Sequence, residues 1–302
     1  MKYIIAIIIS MLGITAVSAG TITMVGQSKY GFNQPKYIQS KGNPKKKLKI
    51  TVLGEENSFP LSSREQGSVF SVIFDEILAQ TPIDIGFSYK NNYENVVKKF
   101  EREGKQEDIN AYFSYYNEFS YFSNKFVYPA FFNNNVHIIT TLQNKLNLKN
   151  KNELKDYKGI YAKTDKMADF VLKEFQLLNI EEVEDLSKAF ELLLTGQADY
   201  IAANYYSSQI EAYKLGIHDF IAYSADAVWK QPMFLRVDAS VFRSPYIKEL
   251  QKILNNPKYK RLKEKAFDDL LNTYKENTRG VVPPTYTKVE EEATEDAVSP
   301  EE

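Results

Sequence analysis

The chain has 302 residues, with 43% hydrophobic and 14% aromatic side chains, enough to build two ordinary domains with real cores. Its formal net charge of −1 gives no reason to expect a nucleic-acid partner or an anionic membrane surface. Cysteine is absent, which removes disulfide frameworks, thiolate metal sites, thiol nucleophiles and a lipid-modified Cys anchor together.

Lys2, the apolar run Tyr3 to Val17 and the small residues Val17-Ser18-Ala19 read as a signal peptide over residues 1–19, cleaved after Ala19; an uncleaved anchor is the alternative. Without a lipid anchor, the periplasm is the expected destination. Residues 20–47 read as a linker ending in Pro44-Lys45-Lys46-Lys47.

Leu48 to Leu53 alternates as a strand and stops at a Gly- and Pro-punctuated loop carrying Glu55, Phe59 and Pro60. Within Gly67 to Gln80, Val69, Phe70, Val72, Ile73, Ile77 and Leu78 fall at helical spacing and predict one buried stripe. A strand over Ile83 to Tyr89 and a helix over Tyr93 to Glu103 follow, the latter ended by Gly104. The stretch Asp108 to Ala130 then crowds in Tyr112, Phe113, Tyr115, Tyr116, Phe119, Tyr121 and Phe122. So many rings with so few aliphatics suit the lining of a cleft better than one face of a helix.

The alternation of strands and helices predicts βαβ units and mainly parallel sheets, with ligands at the carboxyl ends of the strands. Val136 to Thr141 is a strand suited to crossing into a second lobe. Ile160 to Ala162, Tyr200 to Ala203, Phe220 to Tyr223 and Met233 to Val237 are further strands. A helix over Ser187 to Thr195 is closed by Gly196. Trp229 lies between the last two strands, to pack under a hinge or face a cleft. Ser244-Pro245 reads as a cap with Pro at the first helical position, ahead of helices Tyr246 to Leu254 and Tyr259 to Tyr274. His137 and His218 have no neighbours at metal-ligand spacing and read as structural imidazoles. From residue 279 the chain is Pro-rich and then acidic, and is expected to be a disordered tail.

The spacing resembles bacterial extracellular solute-binding proteins of family 3, the group that includes polar amino-acid receptors. In that family an Asp at a helix–strand turn leads to a strand, a Thr-x-x-Arg and then Phe-Ser-x-Pro-Tyr. Counted from Asp108, Asn117 falls on the Thr, Ser120 on the Arg and Phe126 to Ala130 on the last motif. The Leu-Lys-Gly segment of the family is matched around Leu154 to Gly159. Thr164 and Asp165 stand where it has Gly-Thr at a helix N-terminus, and there Asp165 would cap the helix itself. The family's amine-binding Asp falls on Asn204.

The resemblance implies a two-lobe α/β fold of the type II periplasmic-binding-protein kind: residues 48–135 with 228–278 as lobe 1 and 136–227 as lobe 2. It implies capture of a small solute for an inner-membrane ABC permease, with no cofactor or catalytic residue, and a monomer. The ligand-binding positions it points to are Phe59, Tyr93, Tyr112, Phe113, Ser114, Asn117, Ser120, Thr164, Asp165 and Asn204. Because Ser120 and Asn204 replace the charged anchors, a standard free amino acid is not the expected solute; a less charged compound with a flat or apolar group is. Two alternatives stay open. One is a binding or assembly protein on the same scaffold; the other resembles periplasmic dehydratases, with Glu55, Glu56, Glu118 or Asp165 as the acid.

Overall fold

A computed structural model describes residues 47–285 apart from 56, 59, 64–67, 104–105, 107, 116–124 and 147–149. The signal peptide, nearly all of the linker, the acidic residues beyond 285, and the positions Phe59, Asn117 and Ser120 therefore lie outside the described residues.

In chain order the strands are β1 (Leu48–Gly54), β2 (Asn57–Ser58), β3 (Ser62–Ser63), β4 (Ile83–Tyr89), β5 (Ala111–Tyr115), β6 (Lys125–Asn133), β7 (Val136–Thr141), β8 (Gly159–Ala162), β9 (Glu181–Val183), β10 (Tyr200–Asn204), β11 (Ile221–Tyr223) and β12 (Pro232–Val237). The helices are α1 (Val69–Ile77), α2 (Tyr93–Glu103), α3 (Asp169–Leu177), α4 (Leu186–Leu194), α5 (Tyr205–Lys214), α6 (Ala239–Phe242), α7 (Ile247–Leu254) and α8 (Pro257–Asn277).

Two five-stranded sheets form, ordered β4-β1-β5-β12-β6 and β11-β7-β10-β8-β9. The expected two-lobe α/β architecture is present, but the sheets are mixed rather than mainly parallel. β4, β1 and β5 run parallel, as do β10, β8 and β9, while β12 pairs antiparallel with β5 and β6, and β7 with β10 and β11. The antiparallel strands are the ones that carry the chain between sheets. Sheet one passes to sheet two at Asn134-Asn135, and the chain returns through Ser224 to Gln231. The crossings are bonded to each other: Asn134 N donates to the Gln231 carbonyl and Val136 N to that of Trp229, both at 2.9 Å.

Each sheet is covered on both faces. The larger core of sheet one joins Ile50, Val52, Ile85 and Leu235 to Phe70 and Phe74 of α1 and to Phe267 of α8. The opposite face is closed by α2, whose Phe100 meets Tyr112 edge-on at 5.3 Å. α1 buries Val69, Phe70, Ile73 and Phe74, but Val72 is 46% exposed and leaves the predicted stripe. In sheet two, Val171 and Phe175 of α3 cover one face, and Phe190 and Leu193 of α4 the other. Trp229 takes the first of its two expected places, packed edge-on against Phe175 with its Nε1 donating to Glu174 at 2.7 Å.

Local signals set the helix ends. Asp185 caps α4, accepting from Lys188 N at 2.8 Å, and Gly196 ends it at φ +76°. The Pro expected at the first helical position is Pro257 rather than Pro245, because Asn256 accepts from Lys258 N and starts α8, whereas α7 begins only at Ile247.

The lobes also touch away from the crossings. Tyr206 at the start of α5 lies 4.2 Å from the Phe267 ring of α8 and 5.9 Å from Phe132. Further along the same helices, Ile210 packs with Leu270 and Tyr274. α8 thus belongs to the core of sheet one and buttresses sheet two.

Candidate functional site

β1, β5, β8 and β10 end at one cleft of about 760 Å³, lined from both lobes. That position follows from the topology, since loops at the carboxyl ends of parallel strands converge where the two sheets face each other.

One wall is built on sheet one. Tyr93 opens α2 and stands half-buried at the cleft, next to Tyr112, Phe113, Ser114 and Tyr115 of β5. Alternation along β5 divides these side chains. Tyr112 turns towards Phe100, its hydroxyl donating to Glu101 Oε1 at 2.8 Å. Phe113 leans on Phe131 at 4.9 Å and Phe70 at 5.8 Å, so it belongs to the core as well as to the wall. Ser114 bonds the Tyr115 carbonyl at 2.8 Å.

Beneath Tyr112 lies Arg236 of β12, 1% exposed. Its Nη1 reaches Glu101 Oε1 at 2.8 Å and its guanidinium sits 5.4 Å from the Tyr112 ring, while Nε and Nη2 have no hydrogen-bond partner among the described residues. Burial is the larger cause that pushes the Tyr112 hydroxyl well above its usual range, with Arg236 opposing it and Glu101 adding to it.

The other wall is the loop after β8, from Lys163 to Ala168, with the start of α5. Thr164 is exposed at the rim. Asp165 is not: it is 5% exposed and accepts from Asn204 N at 2.6 Å, Asn204 Nδ2 at 2.8 Å and Ser207 Oγ at 2.7 Å. The expectation that Asp165 caps the helix following it in sequence is overturned. α3 starts at Asp169 with no side-chain cap, and Asp165 instead serves the N-terminus of α5, where the Asn204 N–H, the Asn204 amide and the Ser207 hydroxyl converge on it. Burial, partly offset by Ser207 and Asn204, raises the Asp165 carboxyl to about 6.

Asn204 is equally committed. Its Nδ2 also donates to the Lys166 carbonyl at 2.9 Å, and its Oδ1 accepts from Gln231 Nε2 at 2.9 Å. Gln231, fully buried in the second crossing, donates to the Asn134 carbonyl at 3.0 Å and accepts from Ala168 N at 2.5 Å. Asn134 Nδ2 in turn donates to the Tyr115 hydroxyl, which donates to the Lys166 carbonyl at 3.1 Å. The floor of the cleft is therefore one polar network joining both crossings to the Lys163–Ala168 loop. Tyr115 belonged to the ring-rich stretch read as a cleft lining, whereas Asn134, Gln231 and Lys166 carried no motif, and their partners are distant in sequence.

The two histidines lie outside the site. His137 Nδ1 contacts the Ser224 carbonyl at 3.0 Å, and the His218 ring packs tilted against Tyr213 at 4.7 Å. Among the described residues no cluster of His, Asp and Glu could hold a metal ion, and no helix is long and apolar enough to cross a membrane.

No protein-family model matches the sequence, and no curated protein does. Solved structures resemble it at low identity. The GluR0 ligand-binding core in complex with L-glutamate is 10% identical with a TM-score of 0.54, over 74% of this chain and 97% of that one. An ancestral cationic amino-acid solute-binding protein is 15% identical with a TM-score of 0.51, over 75% and 95%. A histidine kinase sensor domain with similarity to periplasmic binding proteins is 12% identical with a TM-score of 0.50, over 80% and 100%. The chain thus has the two-lobe fold of type II periplasmic binding proteins, and at these identities the likeness speaks for the fold alone.

Proposed function

We propose that the protein is an exported, monomeric solute-binding protein that takes a small molecule between lobe 1 (residues 48–135 and 228–278) and lobe 2 (136–227) and presents it to an inner-membrane ABC permease. The observation that carries this reading is the cleft itself, with rings and neutral polar groups from both walls facing one space of about 760 Å³. Tyr93 offers a flat surface on one side, and Thr164, Ser207 and Tyr161 offer hydrogen-bonding groups on the other.

Charge narrows the solute. Among the described lining residues Glu55, Glu94, Glu101, Asp165, Asp169, Glu182 and Glu211 outnumber Lys163, Lys166 and Lys214, and there is no Arg. A ligand carboxylate would enter a negative field without a bidentate partner. The solute we propose carries no free carboxylate and has a flat or apolar group, which sets standard amino acids aside. Binding is favoured over a dehydratase-like reaction because Asp165, the buried carboxylate of the cleft, already accepts three hydrogen bonds from its own chain.

A second reading, a binding protein that does not transport, draws on the packing of α5 against α8, which ties the lobes together away from the crossings. Mass spectrometry of small molecules released by denaturing protein purified from its native compartment tests the first reading. A discrete uncharged or amine-bearing solute is the expected result; repeated preparations that release nothing would favour the second.

A further inference from the structure

The Lys166 side chain leaves the loop of sheet two and crosses the cleft. Its ammonium pairs with Glu55 just after β1 and lies 5.3 Å from the centre of the Tyr93 ring at the start of α2, so both partners lie on the sheet-one side of the cleft. A carboxylate beside an aromatic face is a receptor for an ammonium group, combining Coulombic attraction with the negative face of the ring.

The backbone of Lys166 is fixed independently of its side chain. Its carbonyl accepts from the Tyr115 hydroxyl and from Asn204 Nδ2, and Ala168 N is held by Gln231. Glu55 is likewise set by its own backbone, since its N–H donates to Ser62 Oγ at 2.8 Å and its carbonyl accepts from the same hydroxyl at 2.9 Å. The subsite is therefore built by groups that do not need the Lys166 ammonium to stay in place. The half-exposed ammonium can leave without unfolding anything: 51% of the side chain is open to solvent, against 22% for Glu55.

We propose that Lys166 is a built-in competitor. Its ammonium occupies an ammonium subsite made by Glu55 and Tyr93, and a solute entering this end of the cleft must displace it. This inference rests on the reading of the cleft as a solute site. A tethered group competes at the effective concentration its tether allows, so it weakens every ligand that needs the same space while leaving ligands elsewhere in the cleft untouched. It also sets selectivity, since a neutral solute gains nothing from Glu55 by expelling the lysine, whereas an amine exchanges one cation for another.

The test replaces the tethered amine by a free one. In Lys166→Ala, n-butylammonium should raise Tm saturably, and n-butanol should not. Wild type, with the subsite filled, should need roughly tenfold more n-butylammonium for the same effect. Lys166→Ala combined with Glu55→Gln should lose the response. Lys166→Met, which keeps the apolar stem but not the ammonium, controls for general loosening of the loop and should, like Lys166→Ala, respond at lower n-butylammonium than wild type. Equal responses in wild type and Lys166→Ala, or none in Lys166→Ala, would overturn the proposal. Because n-butylammonium needs no native solute, a failed rescue beside an intact solute response would remove the competitor and leave the solute-binding reading standing. A successful rescue in a protein that binds no solute would do the reverse.

Discussion

Asn204 donates two hydrogen bonds to Asp165, from its backbone N at 2.6 Å and from its Nδ2 at 2.8 Å, and so locks the loop after β8 onto the first turn of α5. The pair occupies positions where the resembling family presents groups to its ligand. Here both side chains face each other, and the cleft is left with a rigid floor.

That floor has a pH signature. Burial, outweighing the hydrogen bonds from Ser207 and Asn204, raises the folded Asp165 carboxyl to about 6, above its ordinary value of 3.8. A raised carboxylate works against folding wherever it is ionised. Its contribution is least unfavourable below the unfolded value and becomes fully unfavourable above the folded one. Between pH 4 and 7 this one group should remove roughly 2 kcal/mol of stability as pH rises. His137, whose imidazole is lowered chiefly by burial, acts oppositely, since acid protonates it first in the unfolded chain. Denaturant unfolding of wild type and Asp165→Asn across this range separates them: the difference between the two curves should shrink as pH rises. A constant difference would mean that Asp165 does not titrate there.

Asp165→Asn should also cost about 1–3 kcal/mol at pH 5, because its new amide meets the Asn204 N–H groups donor to donor. Equilibrium unfolding at that pH gives the value directly.

Arg236 and Glu101 predict an asymmetry. Glu101→Ala strips the buried guanidinium of a charge partner and should destabilise by about 3–5 kcal/mol. Arg236→Met removes the desolvated cation, including its unpartnered Nε and Nη2, and should fall within about 1 kcal/mol of wild type. Chemical denaturation of the two variants decides it, and equal losses would count against the desolvation argument.

The contact between α5 and α8 should be measurable in the same way. Phe267 is fully buried and its ring meets Phe70, Phe132 and Tyr206, so Phe267→Ala should cost about 3–5 kcal/mol. Tyr206→Ala, at a half-buried ring on the lobe-two side of that stack, should cost less and should raise the radius of gyration in small-angle X-ray scattering. An unchanged radius would mean that the stack does not hold the lobes together.

Much of the fold was legible in the sequence. β4, α2 and β7 begin and end at the residues read from alternation and helical spacing, because each is bounded by punctuation and has one clear buried side. Ser244-Pro245 misled because a Ser-Pro pair fits a cap in isolation, while Asn256-Pro257 in the next turn fits it better and has the longer helix behind it. Val72 fell inside a helical stripe whose width is set by what packs on it, which spacing does not reveal. The lining of the cleft was legible in the sequence; its wiring was not. Tyr93, Tyr112, Phe113, Ser114, Thr164, Asp165 and Asn204 all line the cleft. What Asp165 and Asn204 bind there depends on Ser207 and Gln231, which come close only once both sheets have formed.

The central claim is that this cleft binds a small solute without a free carboxylate, and the most direct measurement is a thermal-shift screen of wild type beside Ser114→Trp, which fills the space at the end of β5. A solute at a hundred times its dissociation constant should stabilise wild type by roughly 2.7 kcal/mol. Ser114→Trp should not respond to it, and glutamate, arginine and glutamine should stabilise neither protein. Micromolar binding of any of those three to wild type, or a solute response that survives Ser114→Trp unchanged, would contradict the account.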